Sequence, residues 1–233
     1  MSDTAHLAPL LDAPLQSWGF ASRFQRRTTG LHPTKSGVIG LICAAMGLAK
    51  GSAEEQTTLP ELARLNMTSI AIPRVVQPDG LQAPVLRLED YHTVLNTRRA
   101  SGSPNKDAVV TRRQYLLDAR FGVILFGSRA LLGRVGSALQ NPVWGVWLGR
   151  ESCIPAELLY RGLFDSEQEA HRELLREKPV EQFTTVVEVD DFGAGTDSIS
   201  DQPVSFGNAG STSPEKRRYS VRRVAVKLHF GPS

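Results

Sequence analysis

The sequence predicts an α+β fold: one main sheet with helices packed on it, a projecting arm, and a C-terminal β elaboration. Three observations carry this. Short apolar runs of strand length, bounded by Pro, Gly or Asp, recur along the chain. Two segments between them, residues 36–48 and 129–140, have helical patterning. A long excursion, residues 77–113, holds Pro78, Gly80, Pro84, Gly102 and Pro104 and separates the first strands from the next.

The elements follow in order. Residues 6–11 are an apolar run ended by Asp12-Ala13-Pro14, a first strand. Residues 17–33 read as loop. Ser36 is a suitable N-cap for the helix over 37–48, which is apolar all round and therefore buried. Its glycines lower helix propensity but permit close approach of another backbone. Residues 59–65 suit a short helix and 68–76 a strand. The arm at 77–113 has strand-like pieces at 85–88 and 91–95, which suit a two-stranded ribbon, and a polar, basic tip at 98–106. Residues 121–126 are a strand, and 129–140 a helix with Leu131, Leu132, Val135 and Leu139 on one face. Residues 144–148 read as a further strand.

This is the βαββαβ order of a ferredoxin-like or RNA-recognition-motif-like sheet with an insertion. Beyond it lie a helix at 166–177, strands at 183–189 and 219–230, and a Gly/Ser/Asp-rich loop at 190–214. The chain thus divides into an RNA-recognition-motif-like domain over 1–150, carrying the arm, and a C-terminal helix and β elaboration over 151–233. The latter forms either a small second sheet or an extension of the first. No repeat of 20–50 residues is present.

Composition bounds the function. The chain has 233 residues, 41% hydrophobic and 22% charged, which is ordinary for a globular protein. No apolar run reaches the ~18 residues of a membrane span, and the N-terminus lacks a basic secretory region, so a cytoplasmic protein with reduced thiols is expected. Cys43 and Cys153, with the five histidines, show no metal-ligand spacing, and no cofactor is expected.

The net charge of +3 hides an asymmetry. Residues 206–233 carry six Lys/Arg against Glu215, and residues 165–201 carry eleven Asp/Glu against three bases. The basic end suits a polyanion; the acidic stretch suits solvent or a basic partner and should not touch nucleic acid. The competing reading is that both are solvated surface.

Two N-terminal stretches carry the candidate chemistry: Pro14-Leu15-Gln16-Ser17-Trp18-Gly19 and Pro33-Thr34-Lys35-Ser36-Gly37-Val38-Ile39-Gly40-Leu41. Between them lie Arg23, Arg26, Arg27 and Lys35, with no Asp or Glu. Lys35, Ser36 and the N–H groups of the helix start suit a backbone phosphate; the competing reading is a plain cap and a solvated lysine. Trp18, beside Gln16 and Ser17, suits stacking on a base, or else packs in the core.

A phosphate-loop reading fails. Thr29 and Thr34 stand where that loop needs glycines, and Pro33 removes a donor. At the arm, Arg98, Arg99, Arg112 and Arg113 supply cations, and Tyr91 or Tyr115 a stacking face. Residues 216–223 form a basic strand edge usable by RNA or by an acidic partner. His32 with Lys35, or His92 with Tyr91, would suit metal-independent cleavage of RNA, though satisfied histidines are commoner.

Several blocks in order resemble CRISPR-associated protein family five: Leu10-Leu11, Ala13 to Gly19, Pro33 to Leu41, and Ala44-Ala45-Met46-Gly47. Asp90-Tyr91-His92-Thr93-Val94, Arg113-Gln114-Tyr115-Leu116-Leu117-Asp118-Ala119-Arg120-Phe121 and Leu148-Gly149-Arg150-Glu151-Ser152-Cys153-Ile154-Pro155-Ala156 resemble its e-subtype. The match spans about the first 160 residues and is loose beyond them. Glu151 stands where the family pattern has Lys.

The resemblance implies an RNA-recognition-motif-like fold of the repeat-associated mysterious protein (RAMP) superfamily, with a projecting thumb. It implies a non-catalytic subunit of a type I-E Cascade complex, bound to the 5′ handle of the CRISPR RNA (crRNA). That subunit caps the backbone filament, abuts the large subunit, and meets target DNA only through the complex. It adds Arg150 to the residues expected at RNA. A sister subtype cleaves precursor crRNA, so an endoribonuclease is the alternative.

Overall fold

Nine residues with apolar side chains on both sides, Thr4–Asp12, make β1, a strand buried on two faces. The computed structural model describes residues 3–19, 25–75, 82–83, 85–99, 101–175, 182–208 and 216–230. After β1 come β2 (Leu15–Gln16), β3 (Arg26–Arg27), α1 (Lys35–Ala45), α2 (Ala53–Ala63) and β4 (Asn66–Ala71). A small hairpin follows, β5 (Arg74–Val75) and β6 (Gln82–Ala83), then β7 (Leu86–Val94), β8 (Val109–Leu117), β9 (Arg120–Ser128) and α3 (Arg129–Gln140). The chain ends with β10 (Tyr160–Phe164), α4 (Glu167–Leu175), β11 (Gln182–Glu188), β12 (Asp197–Ser205) and β13 (Arg218–Phe230).

Seven strands form one sheet in the order β10-β1-β9-β4-β11-β13-β12, and each neighbouring pair is antiparallel. The alternation of side chains assigns the faces. On β9, Phe121, Val123 and Leu125 join Leu7 and Leu11 of β1 under α1, α2 and α3, in the larger core. Ile124 joins Ala8, Leu10 and Ile70 on the opposite face, where α4 packs with Ala170 and Leu174. Gly122 admits that helix: a Cβ there would lie 2.9 Å from Leu174 Cδ1. Pro9, which cannot donate to a ladder, sits where the register of β1 against β10 shifts.

Two expectations are corrected. Residues 144–148 are not a strand; the strand beside β1 on that side is Tyr160–Phe164. The 144–148 run is interrupted by Gly145 and turned by Gly149, whose φ is +105°. Gly149 is required: a Cβ would lie 1.8 Å from the Ser17 carbonyl oxygen. The segment expected as loop at 190–214 contains β12, whose register against β13 shifts twice. The sheet runs across residue 150: β10 adds to β1, and β11 to β4. The C-terminal strands therefore extend the first sheet.

The arm is a ribbon. β7 and β8 pair without interruption from Leu86↔Leu117 to Val94↔Val109, so the strand-like pieces at 85–88 and 91–95 fall in one strand, and the ribbon's second strand is β8. Toward its tip, Arg98 bridges Pro104, and Gly102 turns the chain at φ +81°. The base is held by Tyr115 and Leu116, which are buried in the main core. On its other edge β8 takes β2 and, in parallel, β3.

Candidate nucleic-acid interface

Lys35 does not face a polyanion. It is 1% exposed, and its Nζ donates to both Glu188 oxygens at 2.8 Å. Its backbone N–H donates to Asp201 Oδ2 at 2.7 Å. Asp201 also accepts from Arg222 Nε at 2.6 Å and Nη2 at 3.0 Å, and Met67 N–H donates to Glu188. Burial pulls the Lys35 ammonium below its usual range, and the Glu188 hydrogen bond opposes this.

The start of α1 is thus capped from within. The N-cap is Thr34, whose hydroxyl accepts from Gly37 N–H, and not Ser36. The expected phosphate site is filled by a carboxylate of the chain's own. The acidic stretch is likewise no detached surface, because Glu188 and Asp201 come from it.

Gln16, Ser17 and Trp18 are also structural. Gln16 is fully buried, donates to the carbonyls of Leu11 and Ala119, and accepts from the Trp18 indole at 3.0 Å. Ser17 donates to the Gln114 carbonyl. Trp18 is 1% exposed, its backbone N–H donates to Thr29 Oγ1, and its ring lies against Gly37, where a Cβ would come within 3.0 Å. Tyr115, 5% exposed, is covered by the Arg150 guanidinium at 4.6 Å. Arg150 donates to the carbonyls of Gln114 and Arg27, clasping β3 to β8. None of these rings is open to a base, and the first polar stretch is core because each of its groups finds a partner there.

The remaining cations are outside. β3 lies in register with β8, Arg26 beside Arg112 and Arg27 beside Arg113. Arg26 and Arg112, with side chains 67% and 60% exposed, flank Glu89 at 3.8 and 3.9 Å. Tyr91, opposite Arg112 across the ribbon, is 64% exposed. Arg113 is half-buried and donates to Thr111, while Arg98 and Arg99 are exposed at the tip. Arg23 lies outside the described residues. The result is a cationic track along β3 and the ribbon.

The track leads into a cleft of about 580 Å³ beside α1. Arg27, Lys50, Arg150 and Arg217 line it with Trp144, Trp147, Phe206 and Tyr219, and the buried Ser17 and Trp18 border it. Ser36 lines it too, which is the place the structure gives that residue. Trp144 and Trp147 were hidden in the sequence by reading 144–148 as a strand; two tryptophans three apart around a glycine were the available signal. Arg217 and Tyr219 belong to the basic edge at 216–223.

The histidine pairs do not assemble. His32 is half-buried with its ring 5.9 Å from Phe121, and burial pushes it down to about 4, while Lys35 is bound to Glu188. Tyr91 and His92 are neighbours on β7 and project to opposite faces of the ribbon. Among the described residues, no group of His, Cys, Asp and Glu suits a metal ion.

A family model described as CRISPR-associated protein (Cas_Cas5) matches residues 7–225. This chain belongs to that family. It is 29% identical over 180 residues to the CRISPR system Cascade subunit CasD of Escherichia coli (strain K12), covering 76% of this chain and 78% of CasD. A chain of a CRISPR RNA-guided surveillance complex superposes with a TM-score of 0.74 at 26% identity, covering 98% of this chain and 91% of that one. A crystal structure of a Cas protein superposes at 0.67 with 29% identity, covering 97% of this chain and 95% of that one. Among the described residues, no helix is long and apolar enough to cross a membrane.

Proposed function

We propose that this chain is a non-catalytic RNA-binding subunit of a type I-E CRISPR surveillance (Cascade) complex in the cytoplasm, serving antiviral defence. It holds the 5′ handle of the crRNA, caps the backbone filament, and abuts the large subunit. Target DNA is met only through the assembly. The observation that carries this is the paired arginine track, Arg26–Arg112 and Arg27–Arg113, at the root of an exposed ribbon. Cations in a row suit a sugar-phosphate backbone.

The same reading takes β1-α1-β4 and β9-α3-β10 as the two halves of a ferredoxin-like, RNA-recognition-motif-like unit. The order β10-β1-β9-β4 supports it. In such motifs bases stack on the sheet, but here α4 fills that face. The RNA is therefore assigned to the ribbon side. The ribbon's exposed Leu86, Leu88 and Tyr91 suit contact with a neighbouring subunit.

Co-expression with the whole operon, purification through this chain and extraction of nucleic acid test the reading; a discrete small RNA is expected, and an RNA-free assembly would overturn it. Incubating the chain with repeat RNA without metal tests catalysis. Intact RNA is expected, and a discrete cut would instead favour the endoribonuclease, against which the burial of His32 and Lys35 already weighs.

A further inference from the structure

The cleft beside α1 shares Arg27 with the track, and its other walls have no role yet. Its walls are unusual: Trp144, Trp147 and Tyr219 stay 45%, 40% and 39% exposed around one concave space. Its floor is α1, and at Gly40 a Cβ would meet only Phe206 Cζ, at 3.7 Å, so the floor there is open. Glu55, 5% exposed, is the acid among the described lining residues. Its Oε2 accepts from Gly51 N–H in the capping turn of α2, and its Oε1 has no partner among the described residues. An unpartnered acceptor thus lies buried behind the wall of an aromatic, cation-rimmed cleft, and a base must turn it outward to reach it.

We propose that this cleft takes one unstacked nucleobase of the bound RNA, and takes a base bearing an amino group in preference to uracil. The proposal rests on the RNA-binding reading above. Indole and phenol faces accept any base by stacking. Arg27 belongs both to the track and to the cleft, so a strand following the track reaches the cleft, where Lys50 and Arg217 supply further cations for phosphates. A carboxylate accepts from the amino group of cytosine. Uracil presents a carbonyl oxygen at that position, and two acceptors repel.

The test uses the full chain with short labelled oligo(C) and oligo(U), titrated at several salt concentrations. Gly40→Leu fills the floor without removing a charge or an aromatic ring, and leucine is a better helix former than glycine. It is expected to weaken oligo(C) binding about tenfold, the scale of one stacked base, with an unchanged salt slope. Glu55→Gln keeps the bond to Gly51 and is expected to erase a preference of roughly tenfold for oligo(C) over oligo(U). Titration of the wild type with cytidine monophosphate, read as quenching of indole emission, gives a measurement that needs no variant.

Wild-type oligo(C) binding by Gly40→Leu, or unquenched indoles, overturns the cleft site. A preference that survives Glu55→Gln overturns the amino-group selection. If replacing Arg26, Arg27, Arg112 and Arg113 by Ala flattens the salt slope while Gly40→Leu changes nothing, the cleft proposal alone fails. If the wild type shows no salt-dependent RNA binding, the parent reading fails.

Discussion

Lys35 and Arg26 lie nine positions apart in one acid-free window, yet one is sealed in the core and the other faces solvent. The same contrast divides the basic C-terminal strand, where Arg222 is buried and Arg217 lines the cleft. What separates them is the position of carboxylates. Glu188 and Asp201 reach Lys35 from 153 and 166 residues away. The chain's own acids decide which cations are left for a ligand.

The sharpest way to break this comparison is to remove an acid from the sealed side. Asp201 is 1% exposed and takes two bonds from Arg222 and one from the start of α1. Asp201→Ala takes both hydrogen bonds from a buried guanidinium and leaves it only Glu188, 3.9 Å from its Nη1; breaking comparable buried pairs costs about 3–5 kcal/mol. Urea denaturation should show stability falling by that amount. A loss below ~1 kcal/mol would mean that the network is solvated and that the division is not real.

On the open side the effect should be on RNA and not on folding. Replacing Arg26, Arg27, Arg112 and Arg113 by Ala should lower the salt slope of single-stranded RNA binding by about 0.7 for each phosphate that is no longer neutralised. Stability should move little, because exposed substitutions seldom exceed ~0.5 kcal/mol each. An unchanged slope would remove the track from the interface.

This division was only half legible in the sequence. Strands that are continuous apolar runs, such as β1 and β9, declare themselves, as does α3 with its single apolar face. β10 did not: Tyr-Arg-Gly-Leu-Phe shows no alternation, and its place is set by pairing with β1. β12 reads as loop because bulged edge strands are built from polar residues and proline. The ribbon was legible from its Val/Leu content, but the burial of Gln16, Trp18 and Tyr115 was not. Gln16 and Trp18 find partners in Ala119 and Thr29, and the Tyr115 ring finds Arg150, all brought near only by the fold. Polar residues in a window predict a surface until their partners are known.

Between the two regions sits His32, on the loop joining β3 to α1. Burial pushes it from 6.5 to about 4. As pH falls below 6.5 the unfolded chain takes up this proton first, and the folded chain stays neutral until about 4. Stability should therefore drop between those pH values, by up to about 3–4 kcal/mol at 1.36 kcal/mol per unit. His32→Asn should flatten the profile in thermal melts at a series of pH values. His6 and His171, also lowered mainly by burial, should leave a residual slope. A profile identical to wild type would show that the loop opens to let the ring ionise.

Glu89 offers the finest test, because it is an acid on the open side. Its carboxylate lies 3.8 Å from Arg26 and 3.9 Å from Arg112, and it is 38% exposed. At such distances and exposure the pairs contribute little to stability, within ~0.5 kcal/mol after solvent screening. They do hold two cations of the track against one anion, which an incoming phosphate must displace. Glu89→Gln keeps the shape and removes the competitor. RNA affinity should therefore rise, by about two- to fivefold at low salt, with the gain shrinking as salt screens it. The denaturation midpoint should not move. Weaker RNA binding by Glu89→Gln would show that this acid orients the two arginines for the phosphate, and that the open side, like the sealed one, depends on a carboxylate of the chain's own.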